Sequence, residues 1–363
     1  MDEHSIYMHR CFQLALHGIY TARPNPMVGA VIVKDGRIIG EGWHRQPGEP
    51  HAEVMAIRSV KDENLLSKST LYVNLEPCSH YGRTPPCSLL IIEKKIPKVV
   101  ISNTDPNPLV SGNGIRMLQA NGVDVISGIE EDIGWELNRH FFTYHTHKRP
   151  YIHLKWAESA DGFIAPESKD LAEPFVISSA QSLRLAHHLR ASNQAILIGS
   201  ATAAADNPSL TTRYVAGPDP LRFVIDRYRK LPDTLQLFQS ETPAVRIVDK
   251  KYAQSNDIAL KMDSEWGWLH DLMKILYEQY IQSLQVEGGT SVLHAFIRHK
   301  LWDEAWLIKP PTILSKGISG PDIGPLWHSF NYKFCAGQDI VFVFKNRTYS
   351  QKRIVSNPTF REY

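Results

Sequence analysis

His51-Ala52-Glu53 and, further along, Pro77-Cys78-Ser79-His80-Tyr81-Gly82-Arg83-Thr84-Pro85-Pro86-Cys87 are the residues on which the reading of this chain turns. One imidazole and two thiolates are donors of the kind zinc prefers, and three protein ligands rather than four leave a coordination position for water. The flanking pattern is α/β. His51 to Ile57 has helical spacing after Pro50, Thr70 to Leu75 is a short β-rich run that ends at Glu76-Pro77, and Cys87 to Lys94 is helical again. Two helix N-termini would converge on the ligands, and their positive dipole ends favour thiolate over thiol.

Glu53 stands two residues after His51, in the H-x-E order of zinc deaminases, where the carboxylate moves protons and is not a ligand. Three other readings stay open at this level. Cys78 and Cys87 could form a disulfide, could be unrelated core thiols, or could hold a structural zinc with a fourth ligand such as His80. The joint occurrence of H-x-E and P-C in deaminase order favours the catalytic reading. Eight residues separate the two cysteines, against two in the commoner P-C-x-x-C form, and an insertion beside the metal is expected to contact substrate.

Composition bounds the rest. A chain of 363 residues suggests two domains, each able to bury a core. Hydrophobic residues at 43% and charged residues at 21% are those of a soluble globular protein. A formal charge of +2 carries no electrostatic footprint for nucleic acid. Four cysteines, two of them assigned to metal, point to a reducing compartment. The N-terminus lacks a basic region followed by an apolar core, and no apolar run reaches membrane-spanning length. The expectation is a cytoplasmic protein with no membrane and no nucleic-acid partner; composition leaves a homo-oligomer open.

From the start, an amphipathic helix is expected near Ser5 to Gly18. A hairpin follows, with Val28 to Val33 and Ile38 to Trp43 around Lys34-Asp35-Gly36-Arg37, a strong two-residue turn signal. Pro24-Asn25-Pro26-Met27 before it is a loop stiffened by two prolines; Asn25 there reads first as a turn residue. After the zinc stretch come a strand from Lys98 to Ser102, a helix from Ile115 to Ala120 stopped by Asn121-Gly122, a strand from Val123 to Ile126 and one helix from Glu130 to Phe142. Strands alternating with helices imply a layered α/β domain. The polar run Thr143 to Pro150 is expected to be the linker, which places one domain at 1–147 and a second at 148–363. His140, His145 and His147 fit no ligand spacing well.

The second half repeats nothing of the first. Strands are expected at Tyr151–Trp156, Gln194–Gly199, Leu221–Asp226, Ala244–Val248, Leu284–Glu287, Glu304–Ile308 and Asp339–Phe344, with helices at Ser179–Arg190, His270–Gln282 and Ser291–His299. Asp226 to Ser264 is the least readable stretch. Gly199-Ser200-Ala201-Thr202 follows a strand, and Glu287-Gly288-Gly289-Thr290 joins a strand to a helix whose N-terminus could offer N–H groups to an anion. Neither turn is specific alone, and the absence of G-x-G-x-x-G leaves a Rossmann fold unsupported.

These residues together resemble the bifunctional deaminase–reductases of bacterial riboflavin biosynthesis, over nearly the whole chain. The first half carries that family's Pro24-Asn25-Pro26-Met27-Val28-Gly29, His51-Ala52-Glu53, the Pro77 to Cys87 stretch with its long insertion, and Asp105-Pro106-Asn107-Pro108. The second half resembles the family's reductase domain in Leu154 to Gly162, Leu189-Arg190-Ala191, Ala201-Thr202 to Arg213 and Val286-Glu287-Gly288-Gly289. The resemblance implies an α/β chain, a cytidine-deaminase-like three-layer domain followed by a dihydrofolate-reductase-like domain.

It also implies two consecutive reactions on small pyrimidine nucleotides. A zinc-activated water would replace the 2-amino group of 2,5-diamino-6-ribosylamino-4(3H)-pyrimidinone 5′-phosphate, and NADPH would then reduce the ribosyl chain to ribityl. His51, Cys78 and Cys87 would hold zinc and Glu53 would carry the proton. By motif match, Asn25, His44, His80, Arg83 and Asn107 would contact base and phosphoribosyl group. Ala157, Thr202, Asp206 and Gly289 match cofactor positions, and Arg190, Leu210, Arg213 and Glu287 match substrate positions. The chain departs from the family at Lys169 to Val176, where a Gly/Ser-rich segment leading to tryptophan is usual, and at Asp206-Asn207-Pro208, where Asp-Asp-Pro is usual. Two readings from other classes compete. A nucleic-acid deaminase needs a basic, aromatic path that the near-neutral charge speaks against, and a zinc-stabilised binding module leaves Glu53 without a role.

Overall fold

The computed structural model describes residues 2–81, 85–107, 110–167 and 175–346. The chain divides into two compact units, the first Met1–His147 and the second beginning at Lys148. No helix among the described residues is long and apolar enough to cross a membrane.

The first unit runs α1 (Glu3–Leu16), β1 (Gly29–Lys34), β2 (Arg37–Trp43), α2 (Ala52–Ser59), β3 (Thr70–Leu75), α3 (Cys87–Glu93), β4 (Lys98–Asn103), α4 (Asn113–Ala120), β5 (Asp124–Ser127), α5 (Glu131–Leu137) and α6 (Arg139–His147). Its sheet has the order β2-β1-β3-β4-β5. The pairs β1–β2 and β1–β3 are antiparallel, and β3–β4–β5 are parallel. In the β1–β2 turn Asp35 and Gly36 both take positive φ, 49° and 72°, as a two-residue hairpin with right-handed strand twist demands.

Alternation along the strands makes three layers. Ala30, Ile32, Leu71, Val73, Val99 and Ile101 face one way, onto Ala56 and Ile57 of α2, Ile91 of α3 and Leu118 of α4. Val31, Val33, Tyr72 and Val100 face the other way, onto Met8, Cys11 and Phe12 of α1 and Leu137 of α5. A sheet covered on both faces reads as near-continuous apolar strands, which is what β3 and β4 are.

The one helix expected from Glu130 to Phe142 is two, broken at Asn138. That side chain accepts from Met27 N at 2.8 Å and donates to Met27 O at 2.9 Å, replacing backbone pairing for the loop before β1. The run from Thr143 to His147, read as linker, belongs to α6, with Thr143 and Tyr144 buried. Polar composition hid a helix whose inner face is aromatic.

The second unit runs β6 (Tyr151–Ala157), β7 (Phe163–Ala165), α7 (Ala180–Ser192), β8 (Ala195–Gly199), α8 (Ser200–Asp206), β9 (Leu221–Ile225), β10 (Val245–Asp249), β11 (Ile258–Leu260), α9 (Leu269–Glu278), β12 (Ser283–Glu287), α10 (Thr290–Arg298), β13 (Glu304–Lys309), β14 (Ile318–Ser319), β15 (Phe330–Ala336) and β16 (Asp339–Lys345). Its large sheet has the order β11-β10-β9-β8-β12-β6-β13-β16-β15. From β11 to β13 every neighbour is parallel, and β16 and β15 add antiparallel pairs. At the start of β6 the buried Arg149 forms a two-pronged pair with Asp303, at 2.6 and 2.7 Å, and Asp303 also accepts from Ile152 N at 2.8 Å. The elements not foreseen, β7, α8, β11, β14 and β15, are short or lie on edges where the apolar alternation fades.

Candidate active site

His51 is the N-cap of α2, with extended backbone (φ −70°, ψ 164°) and no side-chain capping bond, so its imidazole is turned to other work. Cys87 opens α3 directly after its N-cap Pro86, whose backbone is extended (φ −62°, ψ 143°). Cys78 follows the end of β3. His51 Nδ1 lies 3.5 Å from Cys78 Sγ and 3.3 Å from Cys87 Sγ, and all three ligand atoms fall within 4.8 Å of one another. Tetrahedral zinc with ordinary Zn–N and Zn–S bonds would set such atoms about 3.6 Å apart, so the donor set and its spacing fit the ion. Among the described residues this is the one His/Cys/Asp/Glu group close enough to hold a metal; His140, His145 and His147 form none. All four cysteines are free thiols, which removes the disulfide reading.

The sulfurs are poised unequally. A hydrogen bond from the Cys87 thiol, opposed by burial and helped by His51, holds Cys78 down at about 4. Cys87 is pushed up by that same bond and by burial. The Cys87 amide also donates to Cys78 Sγ at 3.3 Å. Glu53, in the first turn of α2, is buried beside them, and burial raises its carboxyl above the ordinary range against the pull of His51.

These groups open into a cavity of about 250 Å³, lined also by Asn25, His44, Glu76, His80, Asp105 and Asn107. His44 is buried and its pKa is lowered by that burial. The neutral ring donates from Nδ1 to Pro50 O at 3.3 Å and accepts at Nε2 from Asn25 Nδ2 at 2.9 Å. The His44 and His51 rings meet edge to face at 5.5 Å. Arg83 lies outside the described residues. Glu76 and Asp105 were not singled out from sequence; Asp105 stands in a quoted motif, and burial lifts its carboxyl to about 6.

In the second unit β8, β12 and β6 are adjacent and parallel, and their carboxyl ends bring Gly199, Glu287 and Ala157 to one edge of the sheet. Crevices at that edge, where strand order reverses, are where open α/β sheets take ligands. Gly288 and Gly289 have φ of +72° and +78°, and a Cβ on either would stand 3.1 Å from the Thr202 side chain, so the two glycine turns form one surface. Arg190 donates to Glu287 Oε2 at 2.7 Å and to Thr211 O at 3.2 Å. Lys155 Nζ lies 3.9 Å from Glu287 Oε1 and Gln285 donates to the same oxygen at 2.7 Å. Burial works to raise the Glu287 carboxyl, but Arg190 and Lys155 outweigh it and hold it low. The Arg213 amide donates to His187 Nδ1 at 2.9 Å, and burial, then the charges of Arg190 and Arg213, push His187 down to about 4. Leu210 is buried at φ 55°. Asp206 closes α8 on the exposed side. Sequence reasoning did not reach Lys155, His187, Thr211 and Gln285, although Lys155 lies within Leu154 to Gly162 and Thr211 within Ala201 to Arg213. Lys169 to Pro174 lie outside the described residues, and Val176 is exposed.

Fold and site define a class: a zinc-deaminase unit in tandem with an α/β unit whose largely parallel sheet carries a glycine-rich crevice at its strand ends. Residues 1–103 match the cytidine and deoxycytidylate deaminase zinc-binding region, and residues 150–321 match the RibD C-terminal domain. The chain is 38% identical over 327 residues to the riboflavin biosynthesis protein RibD of Aquifex aeolicus, covering 88% of this chain and 90% of that one. To the RibD of Escherichia coli it is 36% identical over 350 residues, covering 90% and 94%. Among solved structures it resembles the diaminohydroxyphosphoribosylaminopyrimidine deaminase/5-amino-6-(5-phosphoribosylamino)uracil reductase of Thermotoga maritima, with TM-score 0.82, 34% identity and coverage of 94% and 98%. RibD of Acinetobacter baumannii matches with TM-score 0.83, 33% identity and the same coverage.

The chain belongs to the riboflavin biosynthesis protein RibD family. It is a deaminase and a reductase in one polypeptide, a cytidine-deaminase-like domain followed by a dihydrofolate-reductase-like one, with zinc and NADPH as cofactors.

Proposed function

We propose that residues 1–147 deaminate 2,5-diamino-6-ribosylamino-4(3H)-pyrimidinone 5′-phosphate and that residues 148–363 reduce the product's ribosyl chain. The observation that carries this reading is the cluster of His51, Cys78 and Cys87 within 4.8 Å, with the carboxyl of Glu53 buried beside it. His51, Cys78 and Cys87 hold zinc, which when bound makes water a nucleophile near neutral pH. Glu53 takes a proton from the attacking water and delivers it to the departing amino nitrogen, so water enters and ammonia leaves. A carboxyl raised by burial suits both halves of that transfer. Asn25, His44, His80, Arg83 and Asn107 orient the base and its phosphoribosyl group.

In the reductase site NADPH supplies the hydride. Thr202 with the Gly289 turn, Ala157 and Asp206 would hold the cofactor, the paired glycines leaving the backbone of that turn uncovered by side chains. Arg190 and Arg213 bind the substrate phosphate, with Leu210 and Glu287 shaping the pocket; Arg190 is held in aim by Glu287 and Thr211. Free thiols throughout suit a cytoplasmic setting, and the near-neutral charge suits small-molecule substrates over nucleic acid. A homo-oligomer is compatible with this reading.

Mass analysis of products from the diaminopyrimidinone phosphate, with and without NADPH, tests both halves. Deaminated nucleotide should form without NADPH and ribityl product only with it. Release of ammonia from cytidine, adenosine or single-stranded DNA in place of that nucleotide would overturn the assignment. Titrating NADPH against wild type, Val176→Trp and Phe175→Ala tests whether the departure at Lys169 to Val176 reaches the cofactor; equal affinities would remove it from the site.

A further inference from the structure

Glu76 is buried in the cavity wall of the first unit, directly before Pro77 and the zinc-binding Cys78. Its carboxylate accepts four backbone N–H bonds. Oε2 takes Asp105 N at 3.1 Å and Gly112 N at 2.9 Å; Oε1 takes Gly114 N at 2.8 Å and Ile115 N at 3.3 Å. Two of these donors, Gly114 and Ile115, lie in the first turn of α4, whose unsatisfied N–H groups and positive dipole end favour a negative charge. The Glu76 amide donates in turn to Asn103 O at 2.9 Å, at the end of β4.

The fit leaves no slack. A Cβ on Gly114 would stand 2.0 Å from Pro77 O, so α4 rests against the Pro77–Cys78 peptide. The loop thus bound carries Asp105 and Asn107 into the cavity, and Asp105 Oδ1 accepts from Asn107 N at 2.8 Å, passing the constraint along. Cys78 has its own anchor, its carbonyl accepting from Ser88 N at 3.2 Å and Ser88 Oγ at 2.9 Å. The metal ligand is thus also tied to α3, by bonds that do not involve Glu76.

We propose that Glu76 is a positioning residue for deamination: its carboxylate sets the distance between the metal ligand Cys78 and the nucleotide-binding face of the Asp105–Asn107 loop. Four donors require four acceptor lone pairs, which a carboxylate has and an amide lacks. Glutamine would turn N–H₂ toward two N–H donors and release one side of the clamp. Aspartate keeps the charge but is one methylene short of reaching both donor pairs. A displaced Asp105–Asn107 loop weakens contacts made to the bound nucleotide in ground and transition state alike, and the loss of such contacts raises KM.

The inference rests on the deaminase reading proposed above. The test compares Glu76→Gln and Glu76→Asp with wild type for zinc content, for KM and kcat of ammonia release from the diaminopyrimidinone phosphate, and for reduction of supplied deaminated intermediate. Zinc should stay at about one per chain, reduction should be unchanged, and KM should rise about tenfold or more in Glu76→Gln with kcat falling less, and by an intermediate factor in Glu76→Asp. An unchanged KM, or a fall in kcat alone, overturns the proposal; loss of zinc from a folded Glu76→Gln assigns Glu76 to the metal instead. Should circular dichroism show that Glu76→Gln unfolds the first unit, Glu76→Asp decides alone, and wild-type KM in it overturns the proposal. Absence of deamination by the wild type would instead sink the underlying functional reading.

Discussion

Arg190 and Glu287, 97 residues apart, meet at 2.7 Å between α7 and the end of β12. Lys155 lies on the other side of the same carboxylate at 3.9 Å. One acid thus compensates two largely buried cations, and it does so at the strand ends where a phosphorylated substrate would bind.

Removing that charge leaves two cations facing each other out of water. Glu287→Gln should therefore destabilise the second unit by about 3 kcal/mol, as breaking a buried pair does. Reduction of supplied intermediate should fall while deamination persists. Urea unfolding followed in that unit, with both activities assayed, checks this; undiminished stability would show that Lys155 or Arg190 finds another partner.

Purified protein should carry about one zinc per chain, as three protein ligands and one water position require. Glu53→Gln should retain it and lose deamination, since the change removes a proton carrier and not a ligand. Metal analysis beside an ammonia assay decides, and either metal loss or retained activity in Glu53→Gln refutes the assigned role.

The two activities should separate. Cys78→Ala, or removal of zinc with a chelator, should abolish deamination yet leave reduction of supplied intermediate intact, because each unit buries its own core. A collapse of reduction while the second unit stays folded would point to coupling between the sites.

A pH dependence follows from His187. Its imidazole titrates near 6.5 when unperturbed but only near 4 in the fold. Between those values the unfolded state binds the extra proton, so stability falls as pH drops through that window. The loss should come to about 2 kcal/mol once partial solvent screening is allowed for. Denaturation midpoints of the second unit at pH 7 and pH 4.5 should differ by less in His187→Asn than in wild type; identical pH dependence in both would place the sensitive group elsewhere.

Local chemistry wrote much of this protein directly into its sequence. Asp35-Gly36 makes a tight hairpin whatever surrounds it, because few residue pairs accept two positive φ angles. Apolar runs such as Thr70 to Leu75 announce strands covered on both faces, and His51, Glu53, Cys78 and Cys87 declare their metal chemistry by residue type and order. What only the tertiary structure decided depends on which distant segments meet. Nothing local in Asn138 says that its amide will pair with the Met27 backbone and break a helix. Nothing local in Thr202 says that it will close against Gly288 and Gly289. The four donors that Glu76 gathers, from Asp105 to Ile115, and the pairing of Arg190 with Glu287 exist only once β3 lies beside β4 and β12 beside β8. Turns and strand patterns are settled by neighbouring residues, whereas a buried carboxylate finds its partners only through the closure of long loops around a finished core.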